Sequence, residues 1–257
     1  MNTRRLATTG VAIVAALSLG LSGCGTKTDA DTPAGNGGAN PAPATSSAPA
    51  DASAELSAAA LKLNEQSVRM KLKSSVIDGD GVMDPATKTG DMTMKMGAQG
   101  TFRVLMLGDD AYLKITGVTG MPKKWLHMDA TKLGRSGNLN LMPEGDPGGA
   151  KQMIDSVVDV KRTGEGKFAG TLDYTRTKSE DKAIQALGEK AKAVPFTARV
   201  DDQGRLVEFA IDTSVLHESL GMMTTTYSDF GAPVSVKKPA ASDTQEAPEE
   251  LIKAMGS

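Results

Sequence analysis

A single thiol is available for chemistry in this chain, and its neighbours say which chemistry. Cys24 is the one cysteine among 257 residues, and it follows Leu21, Ser22 and Gly23. An apolar residue, two small residues and then cysteine is the pattern that a bacterial lipoprotein signal peptidase reads. Cleavage before Cys24 leaves a new N-terminal cysteine whose sulfur carries a diacylglycerol. The upstream residues fit this reading. Met1-Asn2-Thr3-Arg4-Arg5 is a short basic start, and Leu6 to Leu21 carries no charge. Residues 1–23 therefore read as a signal peptide, too short and too weakly flanked for a stable membrane span. Two acyl chains anchor durably where one is marginal. The expected location is the extracytoplasmic face of the cell membrane, held there by lipid. A plain secretory signal with a chance cysteine would instead export one unpaired thiol, an odd outcome. Arg4-Arg5 lacks apolar residues directly after the pair, so Sec and twin-arginine export both stay open.

Other reactive residue types do not assemble into a known pattern. His127 and His217 belong to different predicted elements, and no Gly-Xaa-Ser-Xaa-Gly elbow, His-Glu-Xaa-Xaa-His pair or phosphate loop occurs. His217 and Glu218 read as polar residues at the surface, since strand neighbours point to opposite faces. Asp78-Gly79-Asp80-Gly81 opens like a calcium loop but lacks the later acidic ligand, so it reads as a hairpin turn. Asp201-Asp202 reads the same way. The expectation is a protein that is not an enzyme and holds no metal and no cofactor. With 29 Lys+Arg against 31 Asp+Glu and no basic stripe with interleaved aromatics, nucleic acid is not an expected partner.

The elements that must position any site follow from composition and period. Residues 24–52 hold the lipidated cysteine and a Pro/Ala/Ser/Gly run with no large apolar side chain. Such a run cannot offset its chain entropy and is expected to be a disordered tether, spanning roughly 30 Å. Residues 53–236 have the patterning of one globular domain, and 237–257 read as a polar tail whose Glu249 to Met255 forms a last helical turn or nothing. Ser53 is a good N-cap for a helix carrying Leu56, Ala59, Ala60 and Leu63 on one face. Val68, Met70 and Leu72 then alternate with Arg69, Lys71 and Lys73, the mark of a half-buried strand. Met92, Met94 and Met96 alternate in the same way. Phe102 to Leu107 and Ala111 to Ile115 flank a Gly108-Asp109-Asp110 turn, and Trp125 and His127 fit a further strand.

A Gly/Pro-rich loop, Gly134 to Gly149, precedes a helix over Ala150 to Val158. Strands meet around Gly164-Glu165-Gly166, a helix runs from Ser179 to Lys192, and a hairpin joins Phe196–Val200 to Leu206–Ile211. Met222 to Tyr227 is the last strand. Long hairpins without room for parallel crossovers predict an α+β fold, one large antiparallel sheet with helices on one face.

The sulfur content carries the functional reading. The chain has 14 Met against 5 Phe, 3 Tyr and 1 Trp. Thioethers are flexible and polarizable and suit surfaces that adapt to varied apolar partners, whereas strands ordinarily favour β-branched and aromatic residues. Met70, Leu72, Met92, Met94, Met96 and Met106 are the candidate lining of an apolar cavity. A Met-rich core that binds nothing is the other reading. Lys71, Lys73, Lys95, Lys114, Lys123 and Lys124 either flank a cavity mouth facing anionic headgroups or form a solvated outer sheet face.

The order of features resembles a known family. A lipobox, a Pro/Ala/Ser tether, a first helix, Met/Thr-rich hairpins, the Gly204-Arg205-Leu206-Val207 hairpin and the late Tyr227-Ser228-Asp229-Phe230-Gly231 look like actinobacterial lipoproteins of the LppX/LprG type, over about residues 53–236. The resemblance implies a LolA-like fold, a curved antiparallel β half-barrel with helices packed in its concave side. In better-understood relatives that cavity receives acyl chains of envelope lipids. It implies a monomer that binds a lipid or glycolipid and carries or presents it in the envelope, with a membrane transporter as a candidate partner. The alternative is an envelope lipoprotein that binds no ligand and acts as an interaction or regulatory partner of a membrane protein. The family offers no catalytic motif to carry over.

Overall fold

The computed structural model describes residues 49–132, 150–177 and 182–256. Chain contacts separate residues 1–43 from 44–257, and the described residues all belong to the second unit. Leu21, Ser22, Gly23 and Cys24, nearly all of the tether and the loop over 134–149 lie outside the described residues.

The strands are β1 (Val68–Lys73), β2 (Asp78–Asp84), β3 (Thr89–Lys95), β4 (Thr101–Leu107), β5 (Asp110–Thr116), β6 (Trp125–Asp129), β7 (Val157–Gly164), β8 (Lys167–Leu172), β9 (Val194–Val200), β10 (Leu206–Asp212), β11 (Met222–Ser228) and β12 (Thr244–Glu246). They form one open 12-stranded sheet in the order β12-β6-β5-β4-β3-β2-β1-β11-β10-β9-β8-β7. Every pairing is antiparallel except β12 with β6. A twisted sheet this wide curls rather than lying flat. The class is α+β, as the hairpin spacing predicts.

The helices are α1 (Pro49–Leu61), α2 (Ala150–Ser156), α3 (Lys182–Leu187) and α4 (Glu249–Gly256). α1 starts ahead of Ser53, which lies inside the helix rather than capping it. Proline suits a first turn, where its missing N–H costs nothing, and Asp51 there complements the helix dipole. α2 stops at Ser156 because the chain enters β7 at once. The region predicted as one helix up to Lys192 is α3 followed by a 3-10 stretch, Gly188–Lys192.

One turn is relocated. Asp78-Gly79-Asp80-Gly81 lies inside β2, not at a hairpin tip. The chain reverses just before it, where the Ser74 amide donates to the Ile77 carbonyl at 2.9 Å and the Ser74 hydroxyl accepts from the amides of Val76 and Ile77. The glycines are needed for close approach instead. A Cβ on Gly81 would lie 2.6 Å from the Asp91 carbonyl oxygen and 2.9 Å from the Met92 Cα. The aspartates turn outward, Asp80 to Arg69 at 3.2 Å and Asp78 to Lys73 at 3.8 Å.

Both ends of one sheet face are covered. α1 and α2 lie over β7 to β10, where Leu56, Phe168, Leu172, Phe196 and Phe209 are buried together and the Phe196 and Phe209 rings stack at 5.0 Å. At the other end Val104, Leu113, Ile115, Leu126 and Met128 pack beneath Ala247, Leu251 and Ile252 of the C-terminal segment. The stretch read as a polar tail thus contributes a strand and a helix. Among the described residues, no helix is long and apolar enough to cross a membrane.

Candidate functional site

Between the two covered ends lies a stretch of the same face that is only half-buried. Register decides which side chains share it, because directly opposed residues point the same way. Met70 stands opposite Gly81, which stands opposite Met92, and Leu72, Gly79 and Met94 form the next such row. Beyond β3, Met92 faces Val104 and Met94 faces Phe102. On the other flank Met70 faces Tyr227 and Leu72 faces Thr225. Met70, Leu72, Met92, Met94, Phe102 and Tyr227 are all half-buried. Five adjacent strands at about 4.8 Å spacing make the strip roughly 20 Å across.

The candidate lining therefore divides. Met70, Leu72, Met92 and Met94 come together on the strip. Met106 shares the face but is 8 % exposed, packed into the cluster under the C-terminal segment. Met96 falls past the end of β3, where its amide donates to the Gly100 carbonyl at 2.9 Å and the chain enters a 3-10 turn. Sequence reasoning missed Phe102, and it missed Tyr227 and Thr225, whose partners on β1 are distant in the chain. It also missed Gly79 and Gly81, whose absent side chains leave room for Leu72 and the methionines.

The opposite face is charged and laddered. Arg69 bridges Asp80 and Asp229, the latter at 2.9 Å, and Arg103 clasps Asp91 through Nε and Nη2. Lys71, Lys73, Lys95 and Lys114 all belong to this face by register. They solvate the outside of the sheet and do not flank the apolar strip. Two depressions open on this outer side. The larger, about 430 Å3, is an open cleft lined by Lys71, Lys73, Ser74, Met222, Thr224 and Thr226. The smaller, about 60 Å3, lies beside Arg69, Val82 and Asp229.

Titratable groups near the strip are few. Although Tyr227 is part-open to solvent, its apolar surroundings push the phenol up to about 12, so it stays neutral near pH 7. A further ionisable cluster lies on the outer face at the far edge. His127 reaches Asp110 through Nε2 at 2.6 Å and Glu246 through Nδ1 at 2.8 Å, and its ring tilts against Tyr112 at 5.0 Å. Among the described residues no His/Cys/Asp/Glu cluster is arranged to hold a metal.

The fold and the strip define an α+β protein with an open antiparallel sheet and an adaptable apolar face. No protein-family model matches the chain, and no curated protein matches it. Among solved structures it is similar to the crystal structure of the Mycobacterium tuberculosis lipoprotein LppX, at 18% identity and a TM-score of 0.45, covering 73% of this chain and 99% of that one. At that distance the likeness assigns no ligand and no residue role here.

Proposed function

We propose that this protein is an envelope lipoprotein, lipidated at Cys24, that takes acyl chains of a lipid or glycolipid onto the strip of Met70, Leu72, Met92 and Met94 and carries or presents them in the envelope. The observation that supports this most is the strip itself. A face that is sealed by helices at both ends and left half-buried between them, over a floor of thioethers, suits an apolar guest of variable shape. Each buried methylene gives roughly 0.8 kcal/mol, so a half-covered chain of ~10 carbons gains roughly 4 kcal/mol, which offsets about half the cost of leaving a bilayer. The mechanism is non-covalent, and the chain acts as a monomer. A membrane transporter is the partner that such a carrier would serve.

A second reading has its own support. The outer cleft beside Lys71 carries Met222, 52% exposed, and suits contact with a membrane protein without any bound lipid. Native mass spectrometry with organic extraction separates the two. The chain from Ala44 to Ser257, secreted by an actinobacterial host, is expected to carry a stoichiometric lipid. A clean apo mass, with no uptake of added acyl lipid, would overturn the carrier reading in favour of the partner-binding one.

A further inference from the structure

The C-terminal segment crosses from one face of the sheet to the other at its edge. The three residues of β12 lie parallel along β6, with Thr244 opposite Trp125 and Glu246 opposite His127. The Ala247 amide donates to the His127 carbonyl at 2.8 Å, and the chain then passes over the apolar face as α4. There Leu251 and Ile252 pack on the cluster of Val104, Leu113 and Leu126. That cluster continues the half-buried strip. Met92 faces Val104 across β3 and β4, Val104 faces Leu113, and Leu113 faces Leu126. A two-turn helix has little stability of its own. A three-residue parallel ladder adds few bonds, so this segment stays down by packing and by side-chain ties.

The ties gather on the outer face. Lys114 meets Asp243 at 3.2 Å, and His127 joins Glu246 of β12 to Asp110 of β5. Both ring nitrogens face carboxylates, and only the doubly protonated imidazolium can donate to both. The neutral ring would turn a lone pair toward one of them. The charged neighbours on every side are Asp110 on β5, Asp129 on β6, Glu246 on β12, and Lys238, whose Nζ lies 3.8 Å from Asp110 and 5.7 Å from the Tyr112 ring centroid. The carboxylates outnumber the single lysine, so the proton is favoured while the segment is docked.

We propose that Thr244–Gly256 is a strap latched by the His127 proton, and that loss of this proton releases the strap and opens the covered part of the apolar face to an acyl chain. The ligand in this statement rests on the carrier reading above, while the latch stands without it. The pH sense follows from the two partners. The hydrogen bond with Asp110 holds His127 above its ordinary value of 6.5, against a desolvation penalty and with help from Glu246. The same bond holds Asp110 below 3.8. The latch is therefore complete between these two values. It is lost as pH rises through the raised histidine value, and again as pH falls through the lowered aspartate value.

Hydrogen exchange on the whole chain, corrected for intrinsic rates, tests the latch. Between about pH 5.5 and about pH 8.5, protection over residues 244–252 is expected to fall roughly threefold to tenfold, while β10 keeps its protection. His127→Gln is expected to show low protection at both values. Glu246→Gln, at an exposed position, serves if that variant does not fold. Equal wild-type protection at both pH values, or an undiminished fall in the variants, overturns the latch. Binding of a fluorophore-labelled palmitate tests the gate and is expected to strengthen at the higher pH. Strap release with unchanged palmitate affinity overturns the gate. Strap release with no palmitate binding at either pH overturns the carrier reading and leaves the latch standing.

Discussion

Aspartate at Met94 and at Met106 should give two very different proteins, although both methionines point to the same side of the sheet. Met94 is half-buried on the strip, whereas Met106 is 8 % exposed beneath the C-terminal segment. Fully burying such a side chain is worth about 2–3 kcal/mol, so losing Met94 costs about 1 kcal/mol and its carboxylate stays hydrated. At Met106 truncation alone costs about 2–5 kcal/mol, and the buried carboxylate adds several more. At about 2–4 °C per kcal/mol, Met94→Asp should lower Tm by a few degrees. Met106→Asp should lower it by at least ~10 °C or prevent folding. Differential scanning calorimetry reads both. Palmitate titration completes the comparison. A carboxylate on the strip removes burial of a few methylenes at ~0.8 kcal/mol each and so weakens binding by roughly 30-fold or more. Equal melting losses would place Met94 in a packed core. A folded Met94→Asp that binds as the wild type does would remove the strip as the site.

Gly81→Ala should destabilise by about 1–3 kcal/mol in urea denaturation, because its Cβ would meet backbone at 2.6 Å; a neutral result would contradict the close approach of β2 and β3. Burial alone would raise the Asp201 carboxyl, but hydrogen bonds from the Arg205 side chain and from the backbone amides of Arg205 and Gln203 hold it below 3.8. Its stabilisation is thus present above 3.8 and lost as pH falls through the lowered value, so Asp201→Asn should flatten that acid limb of a stability profile. An unchanged limb would reject the assignment. Arg205 also lies 4.4 Å over the Phe230 ring, so Arg205→Lys should cost about 1 kcal/mol by losing both fork and stack. Cys24→Ala should abolish incorporation of labelled fatty acid and move the protein to the soluble fraction; retention on membranes would refute lipidation there.

Period-two alternation made β1 and β3 legible from sequence, because a half-buried strand writes its two faces into neighbouring residue types. Val68, Met70 and Leu72 against Arg69, Lys71 and Lys73 needed no tertiary information. The Asp-Gly-Asp-Gly stretch misled because local composition describes a turn, while the reason for its glycines is a neighbouring strand's backbone. Thr244-Gln245-Glu246 carries no strand signal at all, since its pairing depends on an edge more than a hundred residues away in the chain. Met106 followed from that omission. Nothing in its own surroundings announces that α4 lies over it, so it could not be told apart from Met94. Met96 shares the spacing of Met92 and Met94, but β3 ends one residue before it, at Lys95.

Gly79 and Gly81 lie beneath the sulfur side chains, with the Met94 Cγ 3.8 Å and the Met92 Cε 2.9 Å from where their Cβ atoms would be. Met92 therefore occupies space that Gly81 has vacated, and can give it up again by a rotamer change, while Met94 rests at ordinary contact distance over Gly79. A floor built of removable pieces sets no template, and it would accept saturated, kinked and branched chains with similar ease. Discrimination among guests would then fall to the rim and to the strap.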